Sequence, residues 1–140
     1  MSAPLNPLPV PVPKVTTTNA AFWAATAEGL FTLQRCPACE LVIWFPRRTC
    51  PQCWTEDIES FAASGRGSVY SFTVVRKGSG AYKDAAPFVV AYVELDEGPR
   101  VLTNITGCDP ADVTVGMAVE VEWHDTGEGN AIYRFRPVPG

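Results

Sequence analysis

The chain has 140 residues, 46% of them hydrophobic and 19% charged, with a formal net charge of −4 and a pI near 4.9. That length suits one compact domain or two very small ones, with enough apolar material for a core. The acidic balance argues against a general nucleic-acid coat, and the lack of a long uninterrupted apolar run argues against a membrane helix.

Residues 1–17 carry Pro4, Pro7, Pro9, Pro11 and Pro13 and read as an extended, Pro-rich arm. The same prolines break any apolar helix of the kind a secretory signal needs, so a cytoplasmic location is expected. Disulfides are rare there, and the cysteines need another explanation. Residues 18–60 form the second segment. Asn19 is expected to cap a short helix that carries Phe22 and Trp23 and stops at Gly29. Leu30 to Arg35 then reads as a strand.

Four of the five cysteines follow as two Cys-x-x-Cys pairs, Cys36/Cys39 and Cys50/Cys53, with ten residues between the pairs. Two such knuckles supply four thiolates, a donor set suited to tetrahedral zinc, with iron in the same shell as the alternative. A thioredoxin-like redox site needs one pair in a βαβ context, which neither pair has. Four thiolates fill the shell and leave no position for a reactive water, so the metal is structural. Between the knuckles, Leu41 to Phe45 is an apolar hairpin segment, followed by Pro46-Arg47-Arg48. Its apolar residues can pack on the next module. Alternatively, Trp44 and Phe45 with the two guanidinium groups make a platform for a phosphate-bearing ligand.

Residues 54–67 read as a polar connector. Residues 61–140 are almost all β: strands are expected over 67–75, 88–95, 100–105, 117–123 and 131–135, with a capped helical turn at Cys108 to Val113. Five strands with a helical turn between the third and fourth match an OB-fold barrel. The expected fold is therefore mainly β: an N-terminal helix, a rubredoxin-like zinc ribbon, then a five-stranded OB barrel.

Taken together, several segments resemble a known family. They are Phe22-Trp23 with Gly29-Leu30, Gln34-Arg35-Cys36, both knuckles, Phe45-Pro46-Arg47, Ser64 to Val69, Pro87 to Val90, Val93 to Gly98 and Val115 to Val119. The resemblance is to the zinc-ribbon/OB-fold proteins, formerly a domain of unknown function, that accompany thiolase-type enzymes. Glu40 departs from it, standing where the family often has Gly. The resemblance implies an accessory subunit that binds acyl-CoA and joins a thiolase, or a thiolase-like aldolase or acyltransferase, in steroid or lipid degradation. The nucleophile and base would belong to the partner, and a dimeric partner would give a two-plus-two assembly.

Coenzyme A carries three phosphates and needs local cations. No acid lies between Glu59 and Asp84, whereas Arg66, Arg76, Lys77 and Lys83 all do. With Arg47 and Arg48 these make a basic surface on an acidic chain. The candidate ligand residues are Trp44, Phe45, Arg47, Arg48, Arg66, Arg76 and Lys77, with Trp44 or Phe45 stacking on adenine. Independent catalysis is not expected. His124 stands alone, Cys108 has no second histidine to activate it, and Glu120 with Glu122 reads as a solvated strand face. Two other functions fit the same modules. One is a single-stranded nucleic-acid binder using Tyr70, Phe72 and Phe88, and the other is a structural partner subunit that binds no ligand.

Overall fold

The computed structural model describes residues 7–139. The first part of the expected arm, residues 1–6, lies outside them. The rest of the arm has no regular structure up to a turn at 17–19. Asn19 does not cap the helix with its side chain. Its Oδ1 instead accepts from the Thr16 N–H at 2.7 Å, and its Nδ2 donates to the Lys14 carbonyl at 3.2 Å, so the residue closes the preceding turn.

Helix α1 (Ala20–Thr26) is alanine-rich and buries Phe22, Trp23 and Thr26. Gly29 does end it, at φ +75°. The Gly29 N–H donates to the Thr26 carbonyl and the Leu30 N–H to Ala25, the paired bonds of a Schellman stop, and the left-handed position suits a residue without Cβ.

The ribbon is a three-stranded antiparallel sheet with β1 (Thr32–Arg35) between β2 (Val42–Ile43) and β3 (Glu59–Ala62). The expected polar connector is thus part strand: Glu59 to Ala62 pairs with Arg35 to Thr32. Its residues are mostly exposed, since β3 is an edge whose stability comes from backbone pairing.

The barrel contains β4 (Arg66–Val75), β5 (Phe88–Leu95), β6 (Arg100–Ile105), β7 (Ala118–Asp125) and β8 (Ala131–Pro137), closed in the order β4-β5-β6-β8-β7. Neighbours are antiparallel except β6 and β8, which meet in parallel at Ile105 and Phe135. This is OB-fold topology, and closure removes the free edges. Asp109 caps the 3-10 turn Pro110–Asp112 by accepting from the Ala111 N–H. Inward residues Val69, Val89, Ala91, Val93, Leu95, Val101, Ile105, Val119 and Phe135 fill the interior.

Phe31 and Leu33 from the ribbon belong to that same core, so the ribbon plugs the barrel rather than hanging from it. Phe22 is the hub of the joint. Its ring meets Trp23, Phe31, Trp44, Phe45 and Tyr133 edge-on, at centroid distances from 4.9 to 6.1 Å. Thr26 adds a polar tie by accepting from the Ala131 N–H of β8 at 2.9 Å.

Close packing of β4 on β5 depends on Gly67, where an added Cβ would lie 2.3 Å from the Glu94 carbonyl oxygen. Backbone cannot yield as a side-chain tip can. Gly67→Ala is therefore expected to cost about 3 kcal/mol, read as a shift of the urea midpoint; a midpoint within error of wild type would show that the strands can separate freely.

Candidate functional site

The two knuckles are geometric copies. In the first, the Glu40 N–H donates to the Cys36 carbonyl and the Cys36 N–H to Leu41; in the second, Trp54 donates to Cys50 and Cys50 to Thr55. Each turn ends in a left-handed residue, Glu40 at φ +64° and Trp54 at φ +65°. The turns bring all four sulfurs within 4.8 Å of one another. Cys36 and Cys53 sulfurs lie 3.4 Å apart, and Cys39 and Cys50 sulfurs 3.6 Å apart. Thiolates about 2.3 Å from a tetrahedral zinc are separated by close to these distances. Cys36, Cys39, Cys50 and Cys53 therefore fit zinc in both donor chemistry and spacing, and among the described residues no further metal-ligating side chain joins the group.

The local field is uneven. Burial raises the Cys50 thiol, but the N–H groups of Cys53 and Gln52 and the neighbouring sulfurs outweigh it and bring it down to about 6. At Cys39 the Leu41 N–H lowers the thiol, while burial and the three other sulfurs push it up to about 12. Cys53 is likewise raised, the sulfurs of Cys36 and Cys50 and burial overcoming the Thr55 N–H. Crowded thiols resist losing all their protons without a cation among them.

The basic residues come from the ribbon loop and from the two ends of β4. Arg66 opens β4, while Arg76 and Lys77 follow its far end, roughly 30 Å away along the strand. On the ribbon, Arg47 is held in place through its backbone: its N–H donates to Gln34 Oε1 at 2.7 Å, and its carbonyl accepts from Gln34 Nε2 at 3.1 Å. Among the described residues, Arg47, Arg48, Arg66, Arg76 and Lys77 are all exposed and none takes part in an ion pair. Trp44 has one face stacked on Phe31, with centroids 5.3 Å apart and planes inclined 24°. Phe45, 36% exposed, keeps more of its ring open to solvent.

The aromatics considered for nucleic acid are not one platform. Tyr70 is exposed beneath the Arg100 guanidinium, Phe72 packs against the barrel core, and Phe88 leans on Tyr82.

Cys108 and His124 sit in different surroundings. Cys108 is half-buried, and burial followed by the charges of Asp112 and Asp109 raises its thiol. His124 Nδ1 lies 2.9 Å from Arg134 Nη1. A guanidinium only donates, so Nδ1 accepts and the neutral ring carries its proton on Nε2, toward Glu122 at 3.6 Å. Glu122 is not simply solvated, because it also accepts from the Thr106 hydroxyl, and Glu120 pairs with Arg136 at 3.2 Å.

Arg134, which sequence reasoning missed, is the centre of this network and only 1% exposed. Its Nε donates to Asn104 Oδ1 at 3.3 Å and its Nη2 to the Pro9 carbonyl of the arm. Burial lowers its pKa, while Tyr82 and Glu122 oppose that. One signal was available: an arginine on the strand that faces the lone histidine, since Trp123 pairs with Tyr133 and Glu122 with Arg134.

A four-thiol ribbon locked into an OB barrel defines the class, a zinc-ribbon/OB-fold protein. Comparison with known proteins narrows this: residues 23–59 match the ChsH2 rubredoxin-like zinc ribbon domain, and residues 61–124 the ChsH2 C-terminal OB-fold domain. The chain belongs to the ChsH2 (DUF35) family. It is 34% identical over 128 residues to a probable enoyl-CoA hydratase alpha subunit of Thermomonospora curvata, covering 91% of this chain and 40% of that one. It is 37% identical over 73 residues to the benzoylsuccinyl-CoA thiolase subunit BbsA of Geobacter metallireducens, covering 52% of this chain and 48% of that one. The matched regions thus span less than half the length of both relatives. Among solved structures, a chain of an Ltp2–ChsH2(DUF35) aldolase superposes with a TM-score of 0.80 at 33% identity, over 90% of this chain and 98% of that one. No helix among the described residues is long and apolar enough to cross a membrane.

Proposed function

We propose that this chain is a non-catalytic accessory subunit that binds acyl-CoA and partners a thiolase-fold enzyme acting on CoA thioesters. One observation carries the reading: ribbon and barrel together match a chain of a two-component aldolase over 90% of this sequence. The thiolase subunit and the hydratase subunit among its relatives also work on CoA thioesters by name. Carbon–carbon bond chemistry would then take place on the partner, and the zinc would hold the ribbon in shape.

The ribbon-side residues suit the phosphate end of CoA best. Arg47 and Arg48 stand beside Phe45 on a loop anchored by Gln34. Arg66 sits where the ribbon chain enters the barrel, and two exposed guanidinium groups next to an open ring match a phosphorylated adenosine. Arg76 and Lys77 at the far end of β4 form the competing phosphate site.

The test begins with a pull-down from native extract, identification of the retained subunit and assay of the complex with acyl-CoA substrates. A thiolase-fold subunit whose activity needs this chain is the expected result. Arg47→Ala and Arg48→Ala should each raise KM for the CoA thioester about tenfold, as loss of a charge-assisted phosphate bond does, with kcat little changed. If Arg76→Ala and Lys77→Ala raise KM instead, the phosphates lie at the far end. If all four variants leave CoA affinity unchanged in an intact complex, the chain is a partner subunit without a ligand.

A further inference from the structure

We propose that Trp54, at the tip of the second knuckle, is the anchor by which this chain docks on its thiolase-fold partner, inserting the indole into an apolar pocket rimmed by basic residues. This inference rests on the accessory-subunit reading and adds to it the contact surface.

Trp54 is 74% exposed, the highest value among the exposed large hydrophobic residues of the described chain. It also stands at φ +65°, a region that bulky L side chains avoid and glycine enters freely. The knuckle requires that backbone shape, because the Trp54 N–H must reach the Cys50 carbonyl at 2.9 Å. Nothing in the knuckle requires an indole. The side chain takes part in none of the aromatic pairs that join ribbon to barrel, although Trp23, Trp44 and Trp123 all do. For the isolated chain, then, Trp54 brings backbone strain and a large wetted apolar surface with no aromatic pairing among the described residues in return. Such a residue makes sense where an external surface covers it, and tryptophan heads the residues that anchor protein interfaces.

Its surroundings specify the partner's chemistry. Pro37, Ala38, Pro51 and Cys53 are exposed on the two knuckles, which the shared sulfur cluster holds together, and they extend the apolar tip. Glu40, Glu56 and Asp57 are exposed beside the knuckles, and none of them is in an ion pair among the described residues, whereas Glu59 lies opposite the exposed Arg35. An apolar centre with an acidic rim is complementary to an apolar pocket with Lys or Arg at its margin.

The test sets stability against assembly. Trp54→Gly and Trp54→Asn both suit a left-handed position, so both variants should bind zinc and melt at or above the wild-type temperature. Their Kd for the purified thiolase-fold subunit, measured by biolayer interferometry with full-length chain, should rise at least about 30-fold, the scale of an interface hot spot. Raising salt should weaken the wild-type complex, whose rim is charged. Variants that fold, hold zinc and bind with wild-type Kd would overturn the docking inference and leave the accessory reading intact. Failure of any thiolase-fold subunit to bind the wild-type chain would overturn both.

Discussion

Stripping the metal with a strong chelator is expected to unravel residues 36–53 while the barrel stays folded. The ribbon's own core is small: Cys36, Ile43 and Cys50 are its buried residues, with Cys39, Leu41 and Ile58 packed around them. Three of those six are the metal's ligands. Remove the cation and the sulfurs lose their common centre, and little apolar surface is left to oppose chain entropy. Zinc in comparable peptide sites contributes about 10–16 kcal/mol of apparent binding free energy, far above what this cluster supplies by burial. Hydrogen exchange would show it: ribbon amides should lose protection in chelator, whereas β5, which is paired on both sides, should keep it. Cys36→Ser should reproduce the effect. Unchanged ribbon protection after verified metal removal would mean that packing on the barrel holds the knuckles.

Arg134→Ala is expected to produce one of the largest losses of stability of any single substitution in the barrel. The side chain is 1% exposed, and its removal leaves Asn104, His124 and the Pro9 carbonyl each without a donor, around a new cavity. The half-buried acceptors can take water in part, so the cavity and the lost packing of a 1% exposed side chain carry most of an expected loss of about 3 kcal/mol. That is a large share of a typical domain's stability. Arg134→Lys keeps the charge without the planar fork and should fall between the two. Calorimetry would read the loss. A melting temperature within about 2 °C of wild type would show that the network relaxes at little cost.

How much of this was legible depended on the kind of signal. β5 and β6 fall where the alternation of apolar and polar residues places them, since one face of each strand must enter the barrel. The metal site was legible because Cys-x-x-Cys spacing is itself a geometric statement. β3 was not, because Glu59 and Ser60 give an edge strand no apolar pattern to display. The basic residues were grouped by closeness in sequence, and Arg66 and the Arg76-Lys77 pair bracket the ten-residue strand β4. Asn19 was read as a cap from its type, but the Thr16 N–H competes for the same oxygen. Apart from the strand pairing that sets it near the lone histidine, Arg134 had no signature in its own neighbours: its acceptors come from residues 104, 124 and 9, brought together by the closed barrel. Backbone torsion is equally silent, so the left-handed Trp54 could not be suspected from its neighbours.

The aromatic joint has a mechanical meaning. Phe22 and Phe31 interlock with Trp44, Phe45, Tyr133, Trp123 and Phe135 across helix, ribbon and barrel. Rings packed edge to face leave no hinge between the two modules, so the molecule tumbles and tilts as one bracket. Whatever grips the knuckle end also sets the heading of the barrel at the other end, and a few degrees of rotation at one become ångströms of sweep at the other.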